Sequence, residues 1–466
     1  MYTRRSVNST NPRNIYFWHS FVLALLMGLG WWLLGRNGLN LTVAFALLYT
    51  AVQIPWRIEE RSSIAWISLL LAMTLVSVGI MLNLNMYCEN NDFHQYHLLN
   101  YDSNRSLTIA RKLITGEALD FYTEKINGYS VLISLLWRIT GETLLVPMLI
   151  NYAFIQITLI LTAKTALVLF GSEKIASLTM LSLAVCCYFM ACAMVPYREP
   201  CIYLGTAMCL YAIVCIYRRG LDRRILLVML CGAVWLTVNR AGGAVIMACV
   251  GLCFVRRKRL IQTLLPSIIL ALTCAVYLYL DRSTAYSSDL IVNNPAVSNY
   301  YIFGIPSHEA YNSFLGNYFE LPYWRRALML PVTMSVQYIA PFFWTIGNSI
   351  QYGPSQIIAH NGITWYVVGC FGLWSVWLFI TDRRSRRYAR LFVALIMSYA
   401  IVAILFGGTC TRYTLVYAPW MAMLAAYVFE RLSQDSSLHK PFHVWVWIYS
   451  IAIIGALFGA FILSHR

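Results

Sequence analysis

The chain has 466 residues, 59% of them hydrophobic and 12% charged, with a mean hydropathy of +0.62. Soluble domains carry roughly a quarter of their residues as charges. This composition therefore excludes a large water-soluble enzyme and predicts an all-α polytopic membrane protein. The formal net charge of +16 would suggest nucleic acid in a soluble chain. Here the basic residues cluster between apolar segments, the pattern expected for cytoplasmic loops beside anionic lipid, so membrane lipids and no nucleic acid are the expected partners.

The N-terminus, MYTRRSVNSTNPR, leads into an apolar stretch at 15–34 with no small-residue cleavage pattern. It reads as a signal anchor and first span. About 20 apolar residues cross a hydrocarbon core of ~30 Å. Such stretches follow at 39–54, 63–84, 143–170, 175–195, 201–217, 260–280, 363–380, 391–406, 413–429 and 444–463. Residues 225–255 suffice for two short spans, broken at Asn239-Arg240-Ala241-Gly242-Gly243. The pieces 129–140 and 327–344 are short or proline-interrupted and read as interfacial or re-entrant, which is tolerated where protein covers the backbone. The whole is a bundle of about 11–13 transmembrane helices.

Charge assigns the sides. Arg4/Arg5/Arg13, Arg57/Arg61, Arg218/Arg219/Arg223/Arg224, 256–259 and 383–390 should lie in the cytoplasm. The outer face then collects 85–128, 196–200, the Asn239-Arg240 break, 281–326, 347–362 and 407–412. No fixed-period repeat, low-complexity segment or soluble domain interrupts the chain. Residues 1–466 read as one membrane domain, with 85–128 the first large outer loop and 281–326 the second. Most of the 13 cysteines lie in apolar segments and no CxxC pair occupies a polar loop, which argues against a zinc site.

The first outer loop holds "YDSNRSLTIARKLITGE", Tyr101 to Glu117. Asp102, Ser103 and Asn104 are good helix N-caps. Leu107, Ala110, Leu113 and Ile114 recur at helical spacing, and Gly116 supplies a stop. The spacing predicts an amphipathic helix of about three turns lying on the membrane surface, with Asp102 as its cap. Upstream, "ENNDFHQYH" places Asp92 and His94 near His97, either as ligands of a divalent cation or as a hydrogen-bonded loop that shapes a site. Arg198, Arg240 and Arg412 fall at outer ends of spans. Ionisable residues there are costly and are functional candidates, snorkelling to headgroups being the alternative. Glu199 either works beside Arg198 or pairs with it. The aromatic-rich segment 300–324 suits stacking on sugars or an interfacial belt.

"DSNRSLTIARKLITGE" resembles the signature of GT-C glycosyltransferases, the family of protein O-mannosyltransferases and aminoarabinose transferases. Asp102, Ala110, Arg111 and Gly116 match its spacing. "NGYSVLISLLWRITGE", "FGSEKIASLTMLSLAVCCYFMACAMVPYREP", "TVNRAGGAVIMACVGLCF" and "FGGTCTRYTLVYAPWMAMLAAY" are similar to later pieces, in order, from about 63 to 429. Ser103 and Ser106 depart from it, standing where the family has a second acid and a tyrosine. The resemblance implies a GT-C-like bundle that moves a sugar from a polyprenyl-phosphate donor to a lipid, glycan or protein acceptor, on the periplasmic side of a bacterial inner membrane. It implies Asp102 as the catalytic base, Arg240, Arg412 and Arg198 as the donor-phosphate ligands, and Glu199, Asp92 and His94 on the acceptor or on a divalent cation. Two rivals remain, an O-antigen or capsule polymerase and a flippase of lipid-linked sugars. The flippase would show inverted repeats, which are not seen.

Overall fold

The structure, a computed structural model, describes residues 101–119, 126–186, 189–190, 192–280, 322–339, 363–406 and 417–464, with isolated helical positions between 68 and 80. Expectations for 15–54, for most of 63–84, for Asp92 and His94, for 281–321, for 347–362 and for Arg412 lie outside the described residues, as do the side chains of 101–104. The described chain is nearly all helical and contains no strand.

Its helices are α1 (Tyr101–Thr115), α2 (Gly128–Thr140), α3 (Leu145–Phe170), α4 (Glu173–Ala184), α5 (Glu199–Arg219), α6 (Arg223–Asn239), α7 (Ala241–Cys253) and α8 (Leu260–Leu280). After the next gap come α9 (Tyr323–Leu328), α10 (Leu330–Ile339), α11 (Ile363–Thr381), α12 (Ala389–Phe406), α13 (Ala418–Gln434) and α14 (His439–Ser464). Among the described residues, five segments are long and apolar enough to cross a membrane: Val146–Phe170, Glu199–Arg219, Arg257–Leu280, Thr364–Thr381 and Ser436–Gly459. They coincide with apolar runs read from the sequence.

Punctuation residues set several boundaries. Gly116 stops α1 with φ +76°, and Gly171 stops α3 with φ +71°. Ser172 caps α4 by accepting from the Ile175 N–H (3.3 Å). Three boundaries differ from expectation. The run 175–195 is not one helix: α4 stops at Ala184, Phe189 and Met190 are helical again, and buried turns at 192–196 lead to Arg198. The last-but-one helix is Ala418–Gln434, displaced from 413–429. Asp102 is not the cap of α1, because the described helix already includes Tyr101. Asp102 lies within the described helix rather than before it.

The basic clusters meet at one end of the bundle. The Arg218 guanidinium donates to the Leu169 carbonyl, Arg256 to the Tyr217 carbonyl (3.2 Å) and Arg390 to the Val255 carbonyl (2.8 Å). Arg256 and Arg390 both lie over the Tyr217 ring at 5.3 Å. Lys174–Glu430 (2.6 Å) and Arg431–Asp382 (3.1 Å) tie α4, the α11–α12 link and α13 together there. Each of these arginine contacts satisfies a helix-terminal carbonyl or stacks on an aromatic ring, so the rim is a fastening as well as a charge pattern.

With both of their outer ends on that rim, α6 and α7 are an antiparallel hairpin, as the sequence break anticipates. Arg240 is its tip, in extended backbone (φ −163°, ψ 97°). Seventeen and thirteen residues rise only about 26 and 20 Å. A core of ~30 Å is deeper than either arm, so a hairpin with its outer ends at one surface would leave its tip short of the other.

Candidate functional site

At the end opposite the basic rim, three irregular pieces of backbone come together: the turn into α2, the segment 192–198 and the Arg240 tip. Irregular backbone at membrane depth persists only where protein or a polar cavity satisfies it. Three asparagines do so here. Asn127 caps α2, its Oδ1 accepting from the Ser130 N–H (2.9 Å) and hydroxyl (3.1 Å). Fully buried Asn151, on α3, donates from Nδ2 to the Val195 (2.9 Å) and Tyr197 (2.7 Å) carbonyls. Asn239 accepts the Tyr129 N–H on Oδ1 (2.9 Å) and donates from Nδ2 to the Trp235 carbonyl (2.8 Å).

Tyr129 is the hinge of the arrangement. Its amide reaches Asn239, next to Arg240 in the chain. Its fully buried ring lies on the side of α3 and α5, where the hydroxyl makes a long bond to the Pro147 carbonyl (3.5 Å) and lies within electrostatic reach of Cys201 and Glu199. Burial, with Cys201 and Glu199 adding to it, raises the hydroxyl's pKa well above the usual tyrosine value, so it stays a neutral donor. One residue thus bridges the Arg240 tip and the start of α5.

That start is charged. Arg198 immediately precedes α5, and Glu199 opens it with only 2% of its surface exposed. A carboxylate in the first helical turn is favoured by the helix dipole, which offsets part of the cost of burial. Arg198 is half-buried, and its Nε is buried without a hydrogen-bond partner. A guanidinium with a donor to spare is equipped to receive an anion.

The structure therefore gathers Arg198, Glu199 and Arg240 at one end, joined through Tyr129. Asp102 belongs to α1, which packs against α2, with Arg111 and Leu113 of α1 joined to Glu142 and Arg138 at the C-terminal end of α2. Arg412, Asp92 and His94 lie outside the described residues, and no group of three or more metal-ligating side chains occurs among the described residues. Sequence reasoning missed Asn127, Asn151, Tyr129 and Asn239 as site builders. "NGY" and "VNR" held part of the signal, but Asn151 stands in an unbroken apolar run and is legible only through its partners, 44 and 46 residues away. It also missed Arg326, 7% exposed in α9, which packs against α12. The chain matches no family model, no curated protein and no solved structure.

Proposed function

We propose that the protein is a membrane glycosyltransferase of GT-C type, moving a sugar from a polyprenyl-phosphate donor to a lipid, glycan or protein acceptor on the outer face of a bacterial inner membrane. The observation that carries the reading is the meeting of Arg198–Glu199 with the recessed Arg240 tip through Tyr129, at the end opposite the basic rim. A tip set below the headgroup layer suits a lipid phosphate drawn down out of that layer. Two arginines from separate elements suit the charge that grows on it as a leaving group.

The chemistry is a displacement at the anomeric carbon. An acceptor hydroxyl attacks from the face opposite the lipid phosphate. Its oxygen forms the new bond to the anomeric carbon as the bond to the phosphate oxygen breaks. The carbonyl-free substrate needs no oxyanion hole; it needs a base for the hydroxyl proton and a clamp for the departing phosphate. Asp102, in the first turn of α1, is the assigned base, and its proton is released on product departure. Arg198, Arg240 and Arg412 hold the lipid phosphate. Glu199 orients the acceptor or, with Asp92 and His94, a divalent cation.

The test compares lipid-linked sugars and surface glycans in a deletion strain and in Asp102→Asn. Loss of one glycoconjugate with build-up of its lipid-linked precursor is expected in both. A deletion strain with every glycoconjugate intact would sink the transferase reading; a wild-type Asp102→Asn strain would move the base to Asp92 or Glu199.

A further inference from the structure

We infer that Asn239 is a positioning residue: it is the joint that holds the α1–α2 pair, which bears Asp102, in register with the α6–α7 tip, which bears Arg240. Three observations meet there. First, both polar ends of the Asn239 side chain are engaged, one by the Tyr129 N–H of α2 (2.9 Å) and one by the Trp235 carbonyl of its own helix (2.8 Å). The amide is locked in orientation by α6 and presents its oxygen to α2. Second, the fit admits no side chain opposite it. A Cβ on Gly128 would stand 2.9 Å from Asn239 Nδ2 and 2.9 Å from Val238 Cγ2. Third, the Tyr129 N–H belongs to the first turn of α2, whose amides have no partner within the helix. Asn127 takes the Ser130 amide, and Asn239 takes that of Tyr129. At a residue with no exposed surface, water does not replace that acceptor.

The joint moves more than α2. Arg111 Nε of α1 donates to Glu142 just beyond α2 (2.7 Å), and Arg138 of α2 donates to the Leu113 carbonyl of α1 (3.1 Å). Leu107 and Ala110 of α1 are buried in the core that also holds Tyr129 and Ile133 of α2. The two helices therefore travel together, pivoting on the Tyr129–Asn239 contact. A shift at the joint is passed along α2, about 20 Å long, to α1. Loss of the joint would leave Asp102 and Arg240 both present and no longer registered, and a displacement of ~1 Å is enough to slow a positioned reaction. The catalytic consequence rests on the transferase reading; the mechanical joint does not.

The test uses the full-length protein in lipid nanodiscs and follows amide hydrogen exchange in the parent, Asn239→Leu, Asn239→Asp and Gly128→Ala. In Asn239→Leu and Gly128→Ala, amides within 101–140 should exchange about tenfold faster, the factor that one lost buried hydrogen bond corresponds to, while α5 and α8 exchange as in the parent. Asn239→Asp keeps the acceptor oxygen but loses the Nδ2 donor to the Trp235 carbonyl, so it should restore only part of the protection. Gly128→Ala decides the matter should Asn239→Leu not fold. The joint is overturned if 101–140 is unaffected, if α2 loosens without α1, or if exchange rises through the whole bundle. A second arm measures binding of undecaprenyl phosphate, expected about tenfold weaker in Asn239→Leu than in the parent. A parent that binds none of this probe counts against the transferase reading alone, because the exchange arm decides the joint by itself.

Discussion

At the residue scale, single polar side chains hold irregular backbone in an apolar interior, and their removal is correspondingly costly. Asn151 serves two carbonyls, those of Val195 and Tyr197, with one Nδ2. Asn151→Leu keeps the volume but removes the side-chain donor from both carbonyls, leaving Val195 with the Tyr197 N–H (2.7 Å). A loss of about 2–3 kcal/mol in unfolding free energy is expected, read by thermal or denaturant unfolding in micelles. A drop of less than half a kilocalorie would mean that other donors serve that segment. At the basic end, Asp382 answers to pH. Burial raises the pKa of its carboxyl, but the Ser385 hydroxyl, the Arg384 N–H and Arg431 outweigh it, so the net position is below the usual aspartate value. A carboxylate whose folded pKa is depressed contributes stability that is fully present above its unfolded value, near 4, and is lost as pH falls through the folded value. Asp382→Asn should therefore lower the unfolding temperature at pH 7, at a cost of about 1 kcal/mol. The gap between variant and parent should narrow below about pH 4 and not above it. A gap that persists unchanged at low pH would show that the carboxylate's charge is irrelevant.

At the element scale, α5 and α6 approach closely because each offers the other a glycine. A Cβ on Gly205 would fall 3.0–3.1 Å from the Cβ, Cα and N of Leu236, and one on Gly232 would fall 2.8 Å from the Met208 Cβ. Small residues at such crossings let helices associate where lipid gives no hydrophobic drive. The atoms facing Gly205 include backbone, which cannot turn aside. Gly205→Val should cost about 1–3 kcal/mol and push α5 and α6 apart, and Gly205→Ala should cost less; equal stability of the valine variant, measured by the same unfolding assay, would refute the close approach. The hairpin itself was legible. Asn239-Arg240-Ala241-Gly242-Gly243 is a break in an apolar run, and a break between two basic clusters implies a turn at the far end. The start of α8 was legible, because the basic cluster at 256–259 precedes it. The early stop of α4 was not. The segment after Ala184 is as apolar as a helix, and nothing local forbids it from being one. What permits the irregular path is a distant partner, Asn151, and hydropathy carries no record of partners. The cap assigned to Asp102 was not met, because the described helix already includes Tyr101, and acids and small polar residues are tolerated in helices as well as at caps. Within the candidate site, the charges were legible because they are expensive in apolar surroundings. The residue that joins them, Tyr129, was not, since an aromatic in a short apolar stretch has many uses.

At the scale of the whole molecule, one asymmetry organises everything else: a cationic end fastened by arginine-to-carbonyl contacts, and an opposite end where irregular backbone and buried polar groups gather. Arg257, Lys258, Arg259, Arg383, Arg384 and Arg387 are exposed at the first end and face few acids. In a bilayer the positive-inside rule predicts that end in the cytoplasm, where anionic headgroups attract it. The same rule then predicts the outer side for the other end, since α5 runs from Glu199 to Arg219 across the bundle. The prediction is made with single cysteines in a chain lacking its 13 native ones. Cysteine in place of Arg257 or Arg384 should react with a membrane-impermeant maleimide only after cells are permeabilised. Cysteine in place of Glu117, exposed just past α1, should react in intact cells. Cysteine in place of Arg240 should react in intact cells too, but more slowly than at Glu117, because the arms of its hairpin are shorter than the hydrocarbon core and set the tip below the surface. Labelling at Glu117 and Arg257 from the same side would overturn the topology. Equal rates at Arg240 and Glu117 would leave the topology standing and remove the recess, and with it the argument that the two arginines receive an anion drawn down out of the headgroup layer.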